Sequence, residues 1–116
     1  MEAVTEKKMF VEDSQHPWQT VDKGVQRKIM ASDKDLMMVK VAFEAGSVGT
    51  LHAHRHVQIS YIESGRFEVE ISGTKKILSA GDVFYVPPHL VHGVVCLEAG
   101  VLVDAFSPMR EDFLGA

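Results

Sequence analysis

Side chains that can bind a metal ion occupy every second position near the middle of the chain: His52, His54, His56 and Gln58. In an extended segment all four point to the same side, because successive side chains alternate between faces. Two imidazoles on one face can bind a single ion, and a third nitrogen must come from elsewhere. His92, which follows a loop with two prolines, is the natural candidate. Neutral imidazole suits Zn, Cu, Fe and Ni, so the pattern predicts a metal site; an incidental cluster of exposed histidines is the alternative.

An aspartate interrupts the apolar segment over residues 101–106 (VLVDAF). In a strand, Leu102, Asp104 and Phe106 share one face. Burying a carboxylate without a partner is costly, so Asp104 requires a specific reason. Either backbone amides or an arginine satisfy it, or it is a general acid and base inside the protein, with a pKa raised by burial or set by a metal.

Short strands must position these residues, because apolar and β-branched residues occur in short runs between turn signals. Strands are predicted over residues 36–44, 57–63, 66–72, 75–78, 83–86, 93–97 and 101–106, with turns at 64–65, 72–74 and 80–82. Seven to nine short strands are typical of a sandwich or barrel. A chain of this length fits one small barrel, whose interior holds side chains and at most a small ligand.

The composition is that of one globular domain of 116 residues, 46% hydrophobic and 24% charged. We divide it into a polar leader over residues 1–16 and a domain over residues 17–116. The net charge of −4 and the lack of any Lys/Arg run longer than two residues argue against nucleic acid as a partner. No apolar stretch approaches the roughly 20 residues of a membrane helix, and the N-terminus lacks an apolar signal core. We therefore expect a cytoplasmic protein, and the single cysteine, Cys96, which cannot form an internal disulfide, agrees with a reducing compartment.

Two wider spacing patterns make the metal prediction more specific, because glycines, prolines and histidines fall in register in both. The segment Gly46-x5-His52-x-His54-x3-Gln58-x6-Gly65 resembles the first cupin motif, and Gly81-x5-Pro87-x-His89-x2-His92 resembles the second. The resemblance implies an all-β, single-domain cupin with a jelly-roll β-barrel. It also implies one divalent metal ion held by His52, His54, Gln58 and His92.

The sequence departs from the first motif at the fourth ligand, where Gln58 replaces the usual glutamate. Glutamate would cancel one unit of the metal charge and glutamine cancels none, so the ion stays a stronger Lewis acid. That difference argues against dioxygen chemistry and for stabilisation of an oxyanion. The alternative is that Gln58 bonds the barrel wall and His56 is the fourth ligand. We expect His56 and His89 near the rim of the site and Cys96 in the core.

The motif segments and the C-terminal sequence together are similar to small cupins of pectin and alginate catabolism, the KdgF type. The similarity begins near Trp18 and includes residues 52–68 (HAHRHVQISYIESGRFE), 87–95 (PPHLVHGVV) and the tail from Asp104. It implies a metal-dependent enzyme that opens the ring of 4,5-unsaturated galacturonate or guluronate to a linear 5-keto-4-deoxyuronate. By this resemblance Asp104 is the catalytic residue, and Phe106 and Arg110 contact the sugar acid.

The residue types agree with that chemistry. A base removes the O1 proton, the C1–O5 bond breaks, O5 leaves as an enolate, and protonation at C4 gives the ketone. Asp104 can take the first proton and return one to carbon, and Arg110 can bind the substrate carboxylate at two points. The alternatives are a surface ion pair of Arg110 with Glu111 or Asp112, and a plain core position for Phe106.

Two further functions fit the same cupin features. A metal-dependent dioxygenase would consume O2 and prefer Fe or Cu, and a non-catalytic cupin would bind a sugar or an anion as a sensor. Three imidazoles and one amide accept Zn, Ni, Mn, Fe or Cu, so the metal is not specified.

A second apolar face is expected, because Ile59 and Tyr61 alternate with Gln58, Ser60 and Ile62. A homodimer that packs sheet on sheet would cover this face, and the family resemblance also implies a homodimer.

Overall fold

Eight antiparallel strands and two short 3-10 turns make up the computed structural model, which describes residues 9–114. The turns lie at Asp13–Gln15 and Glu111–Leu114. The strands are β1 (Gln19–Asp22), β2 (Val25–Asp33), β3 (Leu36–Phe43), β4 (Val48–His52), β5 (Val57–Ile71), β6 (Thr74–Ser79), β7 (Val83–Val86) and β8 (His92–Ser107). The predicted all-β, single-domain fold is confirmed.

Two long strands, β5 and β8, organise the sheet, whose strand order is β1-β2-β3-β8-β5-β6, with β4 beside β8 and β7 beside β5. The first half of β5 pairs with the second half of β8 and with β7. The second half of β5 pairs with the first half of β8 and with β6. Because each long strand takes part in both halves of the molecule, the sheet curls into the jelly-roll barrel.

The predicted turn at residues 64–65 is wrong, and so is the division of the last strand into 93–97 and 101–106. Both segments are continuous strands with irregular register near their centres. Gly65 has a φ of +86°, and a Cβ there would lie 2.5 Å from the carbonyl oxygen of Glu98. A Cβ on Gly100 would collide with the backbone of Ser64. The two glycines therefore let β5 and β8 bend together at close approach instead of ending.

Apolar side chains fill the barrel in two clusters. The larger includes Phe43 and Phe67, whose rings meet edge to face at 5.3 Å, and the smaller consists of Met37, Val39 and Phe106. Cys96 lies in the larger cluster, as expected. Along β8 the buried Asp104 lies between Leu102 of the larger cluster and Phe106 of the smaller one. Asp104 therefore lies at the junction of the two clusters, which Val41 also contacts.

Part of the predicted polar leader packs against β2. The buried Lys28 ammonium donates to the carbonyl oxygens of Asp13 and His16 at 3.1 Å, and it lies 3.0 Å from the Asp13 carboxylate. Residues 1–8 lie outside the described residues, so the division at residue 16 stays a prediction. Within residues 9–114, no helix has the length and apolarity to span a membrane.

Candidate metal centre

Three histidines converge where β4 ends and β8 begins. His52 and His92 are register partners on these strands, and His54 follows in the connection to β5. One ring nitrogen from each of the three can be chosen so that all lie within 4.8 Å of one another. His92 is buried, His54 is half-buried and His52 is exposed, so the cluster extends from the barrel interior to its surface. We call this opening the mouth of the barrel.

Backbone carbonyls fix the protonation of each ring. The Nδ1 atoms of His52, His54 and His92 donate to the carbonyl oxygens of Thr50, His56 and Leu90 at 2.8, 3.1 and 2.9 Å. A carbonyl can only accept, so each Nδ1 carries the proton of the neutral ring. Each Nε2 is left with a free lone pair, the form in which imidazole binds a metal.

The side-chain oxygen of Gln58 completes a set of acceptors that face one another. Its Oε1 lies 3.1 Å from the Nε2 of His54 and 3.1 Å from the Nε2 of His92. With both Nδ1 atoms protonated, no proton lies between these lone pairs, and such an arrangement is unfavourable unless a cation joins them. The donor set of three imidazoles and one amide oxygen therefore fits a divalent metal ion.

Burial favours the neutral form of His92 and His54. It lowers the pKa of His92 to about 4, and the positive charges of His52, His54 and Arg110 act in the same direction. Burial also lowers the pKa of His54, with a further contribution from the Arg110 guanidinium. Neutral imidazoles at pH 7 are a requirement for metal binding.

His56 does not join the other three histidines, because the chain bends at residues 55–56 instead of continuing as a strand. The expectation that residues 52, 54, 56 and 58 share one extended face is therefore wrong. The His56 Nε2 lies 3.4 Å from Oε1 of Glu111, and its buried Nδ1 has no hydrogen-bond partner within residues 9–114. With Arg55, whose Nη2 bonds Glu111 at 2.9 Å, it holds the C-terminal turn against the mouth. His89 is exposed and also lies outside the cluster.

Asp104 faces the same cavity as the histidine cluster. This cavity of about 90 Å³ is lined by His52, Gln58, His92 and Asp104 together with apolar residues of β3, β7 and β8. Burial raises the pKa of Asp104 to about 6, although a hydrogen bond from Ser60 and the charge of Arg110 oppose the rise. A carboxyl group with this pKa can both take and give a proton near neutral pH.

Ser60 connects Asp104 to Gln58 and was not among the predicted site residues. Its Oγ accepts a hydrogen bond from Nε2 of Gln58 at 2.9 Å and donates one to Oδ1 of Asp104 at 2.6 Å. The signal was present in the sequence, because residues 58 and 60 alternate onto one face and the predicted strand could pair with the one that carries Asp104. The register of β5 against β8 does place Ser60 opposite Asp104.

Arg110 lies near the site and already holds a carboxylate. Its Nε and Nη2 donate to the two carboxylate oxygens of Asp112 at 3.0 and 2.9 Å. Its guanidinium carbon lies 4.2 Å from the ring centroid of Phe113 and 5.2 Å from that of Phe106. Phe106 itself is buried beneath the ring of His54 at 5.9 Å. The structure thus places both residues beside the histidines, and their contacts with a substrate stay predictions.

The jelly-roll barrel with three histidines at its mouth defines a metal-site cupin. The family model of the cupin domain matches residues 39–106 of the chain.

Individual relatives show to which family of cupins the chain belongs. The chain is 47% identical over 110 residues to the pectin degradation protein KdgF of Dickeya dadantii, covering 93% of this chain and 99% of the relative. The solved structure of KdgF from Halomonas sp. is 48% identical with a TM-score of 0.89, covering 92% of this chain and 99% of that one. An RmlC-like cupin from Shewanella frigidimarina is 44% identical with a TM-score of 0.90, covering 92% and 96%. The chain belongs to the KdgF family of cupins.

Proposed function

We propose that this protein opens the ring of 4,5-unsaturated monouronates of the galacturonate or guluronate type, giving the linear 5-keto-4-deoxyuronate. One observation carries the proposal: the carboxyl group of Asp104 and the metal-binding side chains of His52, Gln58 and His92 line one cavity. Ring opening needs a group that removes a proton from oxygen and a positive charge that stabilises a developing oxyanion. The similarity to a pectin degradation protein supports a sugar acid as the substrate.

Asp104 performs the proton transfers in this proposal. It removes the O1 proton, the C1–O5 bond breaks, and O5 becomes an enolate oxygen. The carboxyl group then returns the proton to C4, so the substrate and product differ only in the arrangement of their bonds. A divalent ion held by His52, His54, Gln58 and His92 would supply Lewis acidity where negative charge develops on oxygen.

Arg110 binds the carboxylate of the substrate in this proposal. Asp112 occupies the Nε and Nη2 edge of its guanidinium, so the outer edge formed by Nη1 and Nη2 is the one that can take a second carboxylate. The buried Phe106 supports both Arg110 and the ring of His54 from below. Only 2% of Phe106 is exposed, so its own contact with the sugar is confined to a small area.

The direct test follows the loss of absorbance of the unsaturated bond in a purified 4,5-unsaturated monouronate, after chelation and after re-addition of each of Zn, Ni, Mn, Fe and Cu. We expect activity to disappear with the chelator and to return with at least one metal. Product analysis must show the open-chain ketone. Equal rates with and without protein would contradict the proposal, and oxygen consumption during turnover would favour a dioxygenase instead.

We also propose a homodimer that packs through the outer face of β7, β5, β8 and β3. Ile59 and Tyr61 on this face are 49% and 46% exposed, and register places Tyr85, Val83 and Val103 beside them. An apolar patch of this kind is typical of an interface. Cys96 is a free buried thiol, which agrees with the reducing, cytoplasmic compartment we propose.

A further inference from the structure

Gln58, Ser60 and Asp104 form a hydrogen-bonded chain that runs from the amide of Gln58 to the carboxyl group of Asp104. The Oε1 of Gln58 faces the Nε2 lone pairs of two histidines, so its amide nitrogen must face Ser60 and donate to it. The Ser60 hydroxyl therefore keeps its own proton for Oδ1 of Asp104, at 2.6 Å. Ser60 is fully buried, so these bonds are not exchanged for bonds to bulk solvent.

We propose that Ser60 is a positioning residue that couples the metal ligand to the catalytic carboxyl group. It keeps the oxygen of Gln58 turned toward the ion, and it commits Oδ1 of Asp104 to accepting a hydrogen bond. Oδ2 is then the oxygen of Asp104 that takes the proton from the substrate and returns it. The part concerning Oδ2 rests on the proposed function, whereas the orientation of Gln58 does not.

The same chain gives a reason for glutamine where the cupin motif usually has glutamate. A carboxylate at position 58 has no proton to donate to Ser60, so it would compete with Asp104 for the one hydroxyl proton. Either the carboxylate oxygen of residue 58 that faces Ser60 or Oδ1 of Asp104 would then lack a proton donor, which is unfavourable. Glutamine at 58, serine at 60 and aspartate at 104 therefore act as a matched set.

A double-mutant cycle on thermal unfolding tests this matched set without any substrate. In chelator-treated protein, we expect Gln58→Glu to lower Tm by about 5 °C or more. Adding Asp104→Asn should raise the Tm of Gln58→Glu by more than it raises the Tm of the wild-type protein, because the introduced amide nitrogen can donate to Ser60 and Ser60 can donate to the introduced carboxylate. The chain then runs in reverse with every group satisfied.

The same cycle in a Ser60→Ala background separates the hydrogen-bonded chain from simple charge repulsion. We expect the coupling between positions 58 and 104 to shrink by at least half when the hydroxyl is absent. An undiminished coupling would assign it to repulsion between two carboxylates and would overturn the proposal. Additive effects in the wild-type background would also overturn it, and that measurement stands even if the Ser60→Ala variants fail to fold.

The affinity of the Ser60→Ala variant for a metal ion gives an independent test of the proposal. Ser60→Ala should weaken binding of Zn or Ni by about tenfold, the scale seen when a partner of a metal ligand is removed. Ser64→Ala is the matched control, because Ser64 lies on the same strand and its hydroxyl accepts from the backbone of Val101. Unchanged affinity in Ser60→Ala would contradict the orienting role. Failure of uronate turnover alone would leave both measurements valid and would count against the reaction, not against Ser60.

Discussion

The two halves of β5 follow opposite patterns of polarity. In the second half, Phe67 and Val69 face inward and Glu68 and Glu70 face outward, the ordinary arrangement for a strand that covers a core. In the first half, Gln58 and Ser60 are buried while the apolar Ile59 and Tyr61 are exposed. This comparison places the candidate site at the first half of β5. Buried polar groups and exposed apolar groups are present there, although packing of a core alone would not select them.

We call the first half of β5 the inverted half and the second half the ordinary half. The inverted half is tolerated because its inward polar groups form hydrogen bonds with one another. Gln58, Ser60 and Asp104 are linked in series, and the three clustered imidazoles each donate to a backbone carbonyl. The exception is the set of Nε2 and Oε1 lone pairs that face one another, which a bound cation resolves. The ordinary half therefore covers the core, and the inverted half lies beside the groups that could hold an ion.

We expect the largest loss of metal affinity and turnover when a proposed metal ligand beside the inverted half is removed. His92→Ala takes away the most buried imidazole of the cluster, so we expect metal affinity to fall by more than about 100-fold and turnover of unsaturated uronate to fall to background. Metal content and calorimetric titration measure the first effect, and absorbance measures the second. His89→Ala removes an exposed histidine of the loop that precedes β8 and should retain both properties. Equal behaviour of the two variants would show that the cluster holds no functional ion.

Asp104→Asn should separate catalysis from metal binding. We expect turnover to fall by about 10²-fold or more, the scale of a lost general acid and base, with the metal retained. Asp22→Asn, at an exposed aspartate, serves as the control. Turnover at the wild-type rate in Asp104→Asn would remove Asp104 from the mechanism.

The same variant should be more stable than the wild-type protein once the metal is chelated. A pKa raised from 3.8 to about 6 means that the folded state resists ionising Asp104, at a cost of up to about 3 kcal/mol. Wild-type stability from this group is therefore highest below pH 4 and declines as the pH rises toward 6. Asp104→Asn removes that decline, so its advantage in urea unfolding should grow between pH 4 and pH 7. A constant difference would contradict the raised pKa.

The ordinary half of β5 was well predicted from sequence, and the inverted half only in part. The strand predicted over residues 66–72 lies within β5 apart from its last residue, and its Phe67 and Val69 are buried. The predicted turn at residues 64–65 failed because glycine signals a turn and a bend between crossing strands equally well. The shared face of residues 52–58 failed because the chain bends at residues 55–56, where Arg55 and His56 contact Glu111, which is distant in sequence. Alternation can assign a residue to a face, but it cannot show which distant groups meet there.

Removal of Arg110, which we propose binds the substrate carboxylate beside the inverted half, should have a moderate effect on KM. Arg110→Ala should raise KM about tenfold or more with a smaller change in kcat, because a charge-assisted contact present in both ground and transition states is lost. Arg66→Ala is the matched control, since Arg66 lies in the ordinary half of β5 and pairs with the exposed Glu98. If both variants keep the wild-type KM, Arg110 serves only to hold Asp112 and the C-terminal turn.

The smallest kinetic effect is expected from the outward face of the inverted half. Tyr61→Glu places a charge at the centre of the proposed dimer interface, next to Val83 and Val103, while the inward neighbour Ser60 is untouched. Sedimentation should report a change from dimer to monomer, since a buried unpaired carboxylate is costly. Because the cavity lies on the other face, kcat/KM should stay within about twofold of wild type.

Glu68→Ala, outward in the ordinary half, should change neither property. A dimer that persists in Tyr61→Glu would place the interface elsewhere, and a large loss of kcat/KM in the monomer would mean that the two faces of β5 depend on each other.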